Sequence, residues 1–96
     1  MSDVIAGAVK ALNEKIEGRF DGIARFVIEG EGTLIVDENG ARAGDDDAAD
    51  VTLTASAADF EAMLEGELNP TTAFMSGKLS VDGDMGLAMK LGAALG

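Results

Sequence analysis

The stretch Val51-Thr-Leu-Thr-Ala-Ser-Ala-Ala-Asp-Phe-Glu-Ala-Met-Leu-Glu-Gly66 decides the fold, because its hydrophobic period changes part-way along. Apolar and polar residues alternate over Val51–Thr54, which predicts a strand with one buried face. The spacing then becomes helical: Ser56 is placed to cap a helix that buries Phe60, and Gly66 ends it. A switch from strand to helix in mid-chain predicts a mixed α/β fold.

The residues up to Thr54 predict a helix followed by an antiparallel meander of strands, with Val51–Thr54 as its last strand. Apolar residues over Asp3–Glu17 follow one helix face, with Ser2 as N-cap and Gly18 as the C-terminal stop. Asn39-Gly40 is a strong hairpin signal that leads into a weak strand. The predicted strands are Ile23–Ile28, Thr33–Asp37 and Ala41–Gly44.

The residues after Gly66 predict a short helix, one more strand and a closing helix. Asn69-Pro70 opens the short helix as N-cap and first helical residue, and Gly77 ends it. Alternation over 79–82 predicts the strand, and Asp84 caps the closing helix. The element order α-β-β-β-β-α-α-β-α predicts one sheet with helices packed on it, whose last strand arrives through a helical connection.

The composition excludes several classes of function. The 96 residues predict a single domain over 1–96. Eighteen acidic and seven basic residues give a net charge of -11, which argues against nucleic acid and against anionic lipid surfaces. No apolar stretch reaches about 18 residues and no secretory signal pattern is visible, so we expect a cytoplasmic protein without stable membrane insertion.

The sequence offers little for catalysis or metal binding. It contains neither Cys nor His, which removes the commonest nucleophile, general base and transition-metal ligand. The acidic runs Asp45–Asp50 and Asp82–Asp84 do not match the ligand spacing of a calcium loop. Ser56, Ser76 and Ser80 have no histidine to activate them. We therefore expect a protein that is not an enzyme and that uses no metal or cofactor.

The closing helix is apolar on more than one side and carries one charge, Lys90. Met85, Met89 and Ala93 form a flank that is left over once the helix has packed on the sheet. Such a flank needs a bound lipid, a second subunit or a partner to cover it, unless the helix is central and fully covered. Lys90 could meet a ligand head group or simply reach water. The stripe that packs on the sheet is Leu87, Ala88, Leu91, Ala94 and Leu95.

Four stretches of the second half carry a family resemblance: Asp59-Phe-Glu-Ala-Met-Leu-Glu-Gly-Glu-Leu-Asn-Pro70, Ala73-Phe74, Gly77-Lys-Leu79 and Gly83-Asp-Met-Gly-Leu-Ala-Met-Lys-Leu91. In residue type and spacing they resemble the sterol carrier protein type two family, the sterol and lipid transfer domain. The resemblance extends over roughly residues 15–95, nearly the whole chain.

This resemblance implies a single five-stranded, mostly antiparallel sheet covered by helices, with an apolar tunnel between them. It further implies non-enzymatic binding and transfer of a sterol, fatty acid or acyl chain. Well-known carriers of the family are basic, whereas this chain is acidic, so binding of acyl-CoA is less expected here. The alternative is a protein-interaction or dimerisation module that uses the closing helix in a homodimer or against a partner enzyme. The lipid-binding residues implied by position are Phe26, Ile28, Phe60, Leu64, Phe74, Leu79, Val81, Met85, Leu87, Met89 and Leu91.

Overall fold

A computed structural model of the protein describes residues 3–16, 20, 22–45 and 48–95. The element order is the predicted one, with small shifts at the ends of elements. Ser2, Glu17 and Gly18, predicted to end the first helix, lie outside the described residues. The elements are α1 (Asp3–Ile16), β1 (Ala24–Glu29), β2 (Gly32–Asp37), β3 (Gly40–Ala43), β4 (Val51–Ser56), α2 (Ala57–Leu64), α3 (Pro70–Met75), β5 (Leu79–Gly83) and α4 (Met85–Leu95).

The strands form one five-stranded sheet in the order β3-β2-β1-β4-β5. Neighbours are antiparallel except β1 and β4, which pair in parallel from Ala24 opposite Val51. The mostly antiparallel sheet is confirmed, but the predicted meander is wrong for β4, which crosses over to β1. Hydrogen bonds at the start of the pair favour this arrangement: the Asp50 N–H donates to the Ile23 carbonyl at 2.8 Å, and the Ile23 N–H donates to Asp50 Oδ2 at 3.0 Å.

The helices pack on one face of the sheet. In β1, Ala24, Phe26 and Ile28 are buried, whereas Arg25 and Val27 between them are half-buried. The alternation in β4 is the same, so the covered face runs continuously across the two central strands. No helix within the described residues is long and apolar enough to span a bilayer.

The outer strand β3 is held by α1 through one side chain. Asn13 donates from Nδ2 to the Ala41 carbonyl at 3.0 Å and accepts from the Ala41 N–H at Oδ1 at 2.7 Å. Gly40 has a φ of 105°, and a Cβ there would overlap that Oδ1, so glycine suits the point where helix and strand approach. The predicted hairpin is confirmed, but Gly40 pairs with Asp37 in the ladder, which leaves Glu38 and Asn39 as the turn.

Candidate functional site

The helix α3 is placed by a predicted cap. Asn69 Oδ1 accepts from the N–H groups of Thr71 at 2.8 Å and Thr72 at 3.3 Å, and Pro70 occupies the first helical position, where its missing N–H costs nothing. The N–H of Gly77, at a φ of 82°, then donates to the Phe74 carbonyl at 3.3 Å as the helix ends. These caps confine α3 to a short segment beside the sheet.

The helix α4 is placed by the junction between β5 and β4. Asp84 Oδ1 accepts from the Leu87 N–H at 3.2 Å, as predicted for an N-cap, and the Asp84 N–H donates to the Asp50 carbonyl at 3.0 Å. Gly83 has a φ of 113°, and a Cβ there would lie 2.5 Å from the same carbonyl oxygen. The side chain of Leu87 packs against Gly22. The start of α4 is therefore fixed to the beginning of β4.

A cavity of about 660 Å³ lies between the sheet and the helices α2, α3 and α4. Its base contains Phe26, Leu53 and Val81, which are direct partners across β1, β4 and β5. The volume is in the range of pockets that enclose a small organic ligand. The cavity is lined by Phe26, Leu53, Met63, Asn69, Pro70, Thr71, Phe74, Met75, Leu79, Val81, Met85, Ala88, Met89, Gly92 and Ala93.

The rim of this cavity is apolar and exposed to solvent. Met75 is 80% exposed and Met89 74%, while Phe74 and Met85 are exposed to 42% and 44%. They are the large hydrophobic side chains classed as exposed within the described part of the chain, and all of them line the cavity. The apolar flank predicted to be left over on the closing helix is thus confirmed, and it faces a cavity.

The remainder of α4 packs as the stripe predicted. Ala88 and Leu91 are buried in the core, and Leu87 is partly buried against it. The side chains of Ala94 and Leu95 lie outside what the structure describes. The helix therefore divides its apolar surface between the core and the cavity, which explains why it is hydrophobic on more than one side.

The cavity can hold an apolar molecule by burial, with few polar contacts. Among the described residues that line it, no side chain is charged, and Asn69 and Thr71 are the ones with hydrogen-bonding groups. Lys90 is exposed and does not line the cavity, so the structure places it in water. The described lining thus provides neither a charged acid–base group nor a thiol or imidazole for covalent chemistry.

The side chains predicted to bind lipid fall into three groups. Six line the cavity, and Phe60 and Leu64 lie instead in a smaller groove of about 260 Å³ between α1 and α2. Phe60 is one layer behind the cavity, since its ring packs against that of Phe26 with centroids 5.1 Å apart. Ile28 and Leu91 belong to the core and Leu87 packs against it, and these three residues line neither space. The six in the cavity are Phe26, Phe74, Leu79, Val81, Met85 and Met89.

Sequence reasoning missed other lining residues, although some carried a signal. The alternation over Val51–Thr54 predicts that Leu53 lies on the buried face of the strand, and it does, beside Phe26. Ala88 and Gly92 lie four residues apart on α4, where small side chains leave space between helices. The sequence around Asn69 and Pro70 indicates a helix cap and nothing more, because a cap motif does not indicate what lies beside the helix.

The acidic run 45–50, whose spacing does not match a calcium loop, makes structural contacts. Asp45 accepts from Arg25 Nη1 at 3.0 Å at the surface, and Asp50 joins the starts of β1 and β4 as described above. Asp46 and Asp47 lie outside the described residues. Within the part of the chain that is described, no three acidic side chains are grouped as metal ligands would be.

Comparison with known proteins identifies the family. The chain matches the model of the SCP-2 sterol transfer family over residues 6–96. The protein belongs to the SCP-2 sterol transfer family. The resemblance seen in the sequence is therefore confirmed, and it includes the first helix as well as the second half of the chain.

Curated relatives in this family are longer proteins. The chain is 40% identical over 94 residues to hydroxysteroid dehydrogenase-like protein 2 of Xenopus laevis, covering 91% of this chain and 22% of that protein. It is 43% identical over 65 residues to sterol carrier protein 2 of Homo sapiens, covering 64% of this chain and 12% of that protein. The chain thus spans less than a quarter of the length of either relative.

Solved structures of the SCP-2 family share the fold. Sterol carrier protein domain 2 of Helicoverpa armigera has a TM-score of 0.79 and 29% identity, covering 96% of this chain and 85% of that one. Palmitated SCP2L2 from Aedes aegypti has a TM-score of 0.75 and 28% identity, covering 99% and 95%. The mixed five-stranded sheet covered by helices is thus the fold of the family.

Proposed function

We propose that this chain binds a lipid reversibly in the cavity between the sheet and α2–α4, without catalysing a reaction on it. The observation that carries the proposal is a cavity of about 660 Å³ whose described lining is apolar apart from Asn69 and Thr71. Palmitated SCP2L2 from Aedes aegypti, a member of the same family, supports a fatty acyl chain as one ligand. A sterol is the other class that the family description suggests.

The driving force is the hydrophobic effect at the cavity wall. Each methylene that leaves water contributes about 0.8 kcal/mol. Fatty acids that differ by two methylenes should therefore differ about 15-fold in Kd while the longer chain still fits the cavity. The flexible side chains of Met63, Met75, Met85 and Met89 can adapt to ligands of different shape.

We also propose that this chain catalyses no reaction. The relative from Xenopus laevis is named for a dehydrogenase, but this chain matches 22% of its length. We propose that the segment matched here is the lipid-binding part, since a Gly-rich dinucleotide fingerprint is missing from its sequence. The expected result is that the isolated chain neither oxidises nor reduces a hydroxysteroid in the presence of a nicotinamide cofactor.

Titration of the delipidated protein with a fluorescent fatty acid and a fluorescent sterol tests the proposal. Met85→Glu introduces a carboxylate into the cavity wall at the first turn of α4, where a helix tolerates negative charge. Ala6→Glu makes the same change of charge at an exposed position of α1. We expect Met85→Glu to weaken binding at least about tenfold, because an apolar ligand would desolvate the new charge, and Ala6→Glu to leave it unchanged. Failure of the wild-type protein to bind either probe would refute the proposal.

A second candidate function, a dimerisation or partner-binding module, is favoured by the same exposed rim. Met75 and Met89 would then be covered by protein. Native mass spectrometry separates the two: extra mass equal to one lipid supports the cavity, whereas a doubled mass without lipid supports the dimer.

A further inference from the structure

The two edges of the sheet differ in what covers them. The outer edge of β3 is occupied, because the N–H and the carbonyl of Ala41 both bond to Asn13 on α1. At the other edge, β5 pairs with β4 on one side, and within the described residues no hydrogen bond reaches its other side. An uncovered edge strand offers its unpaired N–H and carbonyl groups to another strand.

The free backbone groups of β5 can be assigned from the ladder. The pairing of β4 with β5 continues into a bond from the Asp84 N–H to the Asp50 carbonyl at 3.0 Å. Since alternate residues of an antiparallel strand bond to the same neighbour, the even-numbered residues of β5 bond to β4. Leu79 and Val81 therefore present their N–H and carbonyl groups at the free edge.

The sequence of this edge, Lys78-Leu-Ser-Val-Asp82, is complementary to itself when it is read in the opposite direction. Antiparallel pairing with a second copy about Ser80 places Lys78 opposite Asp82 of that copy, and Leu79 opposite Val81. Lys78 and Asp82 are exposed and have no ion-pair partner among the described residues. The segment is neutral, although the whole chain carries a net charge of -11, so its own charges do not repel a second copy.

We propose that two copies of this chain pair through β5 and form one continuous sheet. Leu79 of one copy then exchanges both N–H···O bonds with Val81 of the other. The next pair outward joins Gly83 to Gly77, which carry no side chains that could obstruct the approach. This pairing specifies the surface for the dimer named above as a second candidate function, and it does not depend on lipid binding.

The helices add apolar surface to this junction of the two β5 strands. A two-fold axis perpendicular to the sheet keeps the helices of both copies on the same face. The helix α3 contacts β5, and Phe74 and Met75 at its end are exposed. A stable interface buries at least about 1,000 Å² in total, more than a strand edge of five residues offers, and these two side chains add apolar surface beside it.

Charge reversal at Lys78, followed by sedimentation velocity over a range of protein concentrations, tests the pairing. Lys78→Glu turns both symmetric ion pairs into repulsions, so we expect the dissociation constant of the dimer to rise at least about tenfold. Lys78→Glu/Asp82→Lys restores opposite charges and should return that constant to within about threefold of wild type. Lys10→Glu makes the same change of charge at an exposed position of α1 and should leave the dimer unchanged.

A cysteine on the two-fold axis tests the register, since the chain has no cysteine of its own. Ser80→Cys places two thiols directly opposite each other, with Cβ atoms about 4.5–5.5 Å apart, so oxidation with diamide should give a disulfide-linked dimer. In Asp82→Cys the same register separates the two thiols by four residues along the strand, about 13 Å, so no cross-link should form. Cross-linking of Asp82→Cys without cross-linking of Ser80→Cys would overturn this register.

The outcomes separate this pairing from the other proposals. A wild-type protein that stays monomeric at the highest concentration tested would overturn it. A dimer that Lys78→Glu weakens no more than Lys10→Glu does would form through another surface, which overturns the assignment to β5. Lys78 does not line the cavity, so Lys78→Glu should still bind fluorescent fatty acid. A β5 dimer that binds no fatty acid would refute the cavity proposal alone.

Discussion

Met89 and Leu91 lie two positions apart on α4, and substitutions at these positions should distinguish residues that bind the ligand from residues that stabilise the fold. Met89 lines the cavity and is 74% exposed, whereas Leu91 is fully buried and lines no cavity within the described residues. Both were predicted to bind lipid from their positions in the family pattern. The structure indicates different roles, so alanine substitutions at the two positions should have opposite signatures.

Leu91→Ala should destabilise the fold without changing the ligand contacts. Removing a buried leucine side chain costs about 2–5 kcal/mol, which includes the unfilled space left behind. A domain of this size has a free energy of unfolding of about 5–15 kcal/mol, so the variant should still fold. Urea unfolding followed by circular dichroism measures the loss. The Kd for a fluorescent fatty acid, measured where the variant is folded, should stay within about twofold of wild type.

Met89→Ala should show the reverse. Its side chain is already in water, so the free energy of unfolding should change by no more than about 0.5 kcal/mol. A ligand in the cavity would cover most of that side chain, and burial of a methionine is worth about 1.5–3 kcal/mol in full. We expect a loss of about 1–2 kcal/mol in binding, or about 5- to 30-fold in Kd. The reasoning is refuted if Leu91→Ala weakens binding more than Met89→Ala does.

Three further substitutions test how the site is supported. Gly83→Ala should lower the free energy of unfolding in urea by about 2–4 kcal/mol, because the φ of Gly83 is 113° and the new Cβ would overlap a carbonyl oxygen. Gly30→Ala, at a φ of 80° in open space, should cost about 1 kcal/mol. Equal losses in the two variants would contradict the overlap. Asn13→Ala leaves the N–H and the carbonyl of a strand residue without their partner. We expect the free energy of unfolding in urea to fall by about 1–3 kcal/mol. An unchanged free energy of unfolding would show that water replaces the amide. A hydrogen bond from Arg42, at 2.7 Å, holds the pKa of Asp37 below its usual 3.8. The Asp37 carboxylate therefore stabilises the fold above about pH 4, and this stabilisation is lost as the pH falls through the lowered pKa. Asp37→Asn should therefore narrow the difference between the free energies of unfolding at about pH 6 and about pH 3, and an unchanged difference would contradict this.

Local signals predicted the elements and their caps well. The oxygens of Ser56, Asn69 and Asp84 each accept backbone N–H groups at the start of the helix that the sequence assigned to them. Gly66 and Gly77 have positive φ just after α2 and α3, as helix stops require. These features depend on contacts within a few residues, so the sequence alone contains the information.

Contacts between distant residues were beyond the reach of the same signals. Asn13 gave no indication that it would bind the backbone of Ala41, 28 residues away. The roles of Leu91 and Met89 could not be distinguished by family position, because core and cavity lie on adjoining sides of one helix. Which apolar side chain faces empty space depends on how α3 and α4 are placed over the sheet, which is a property of the assembled fold.

The predicted meander is wrong for β4, and the parallel pairing of β4 with β1 that replaces it creates the cavity. In a meander, β4 would pair with β3, and Leu53 would lie several strands away from Phe26. The parallel crossover instead places Leu53 directly between Phe26 and Val81, in register across the sheet. The helical connection α2–α3 then has to pass over this row before β5 returns antiparallel to β4, and α4 closes the space from the other side. The apolar base of the cavity and the helices that enclose it thus follow from one choice of strand pairing, which Asp50 secures with hydrogen bonds to Ile23 and Asp84.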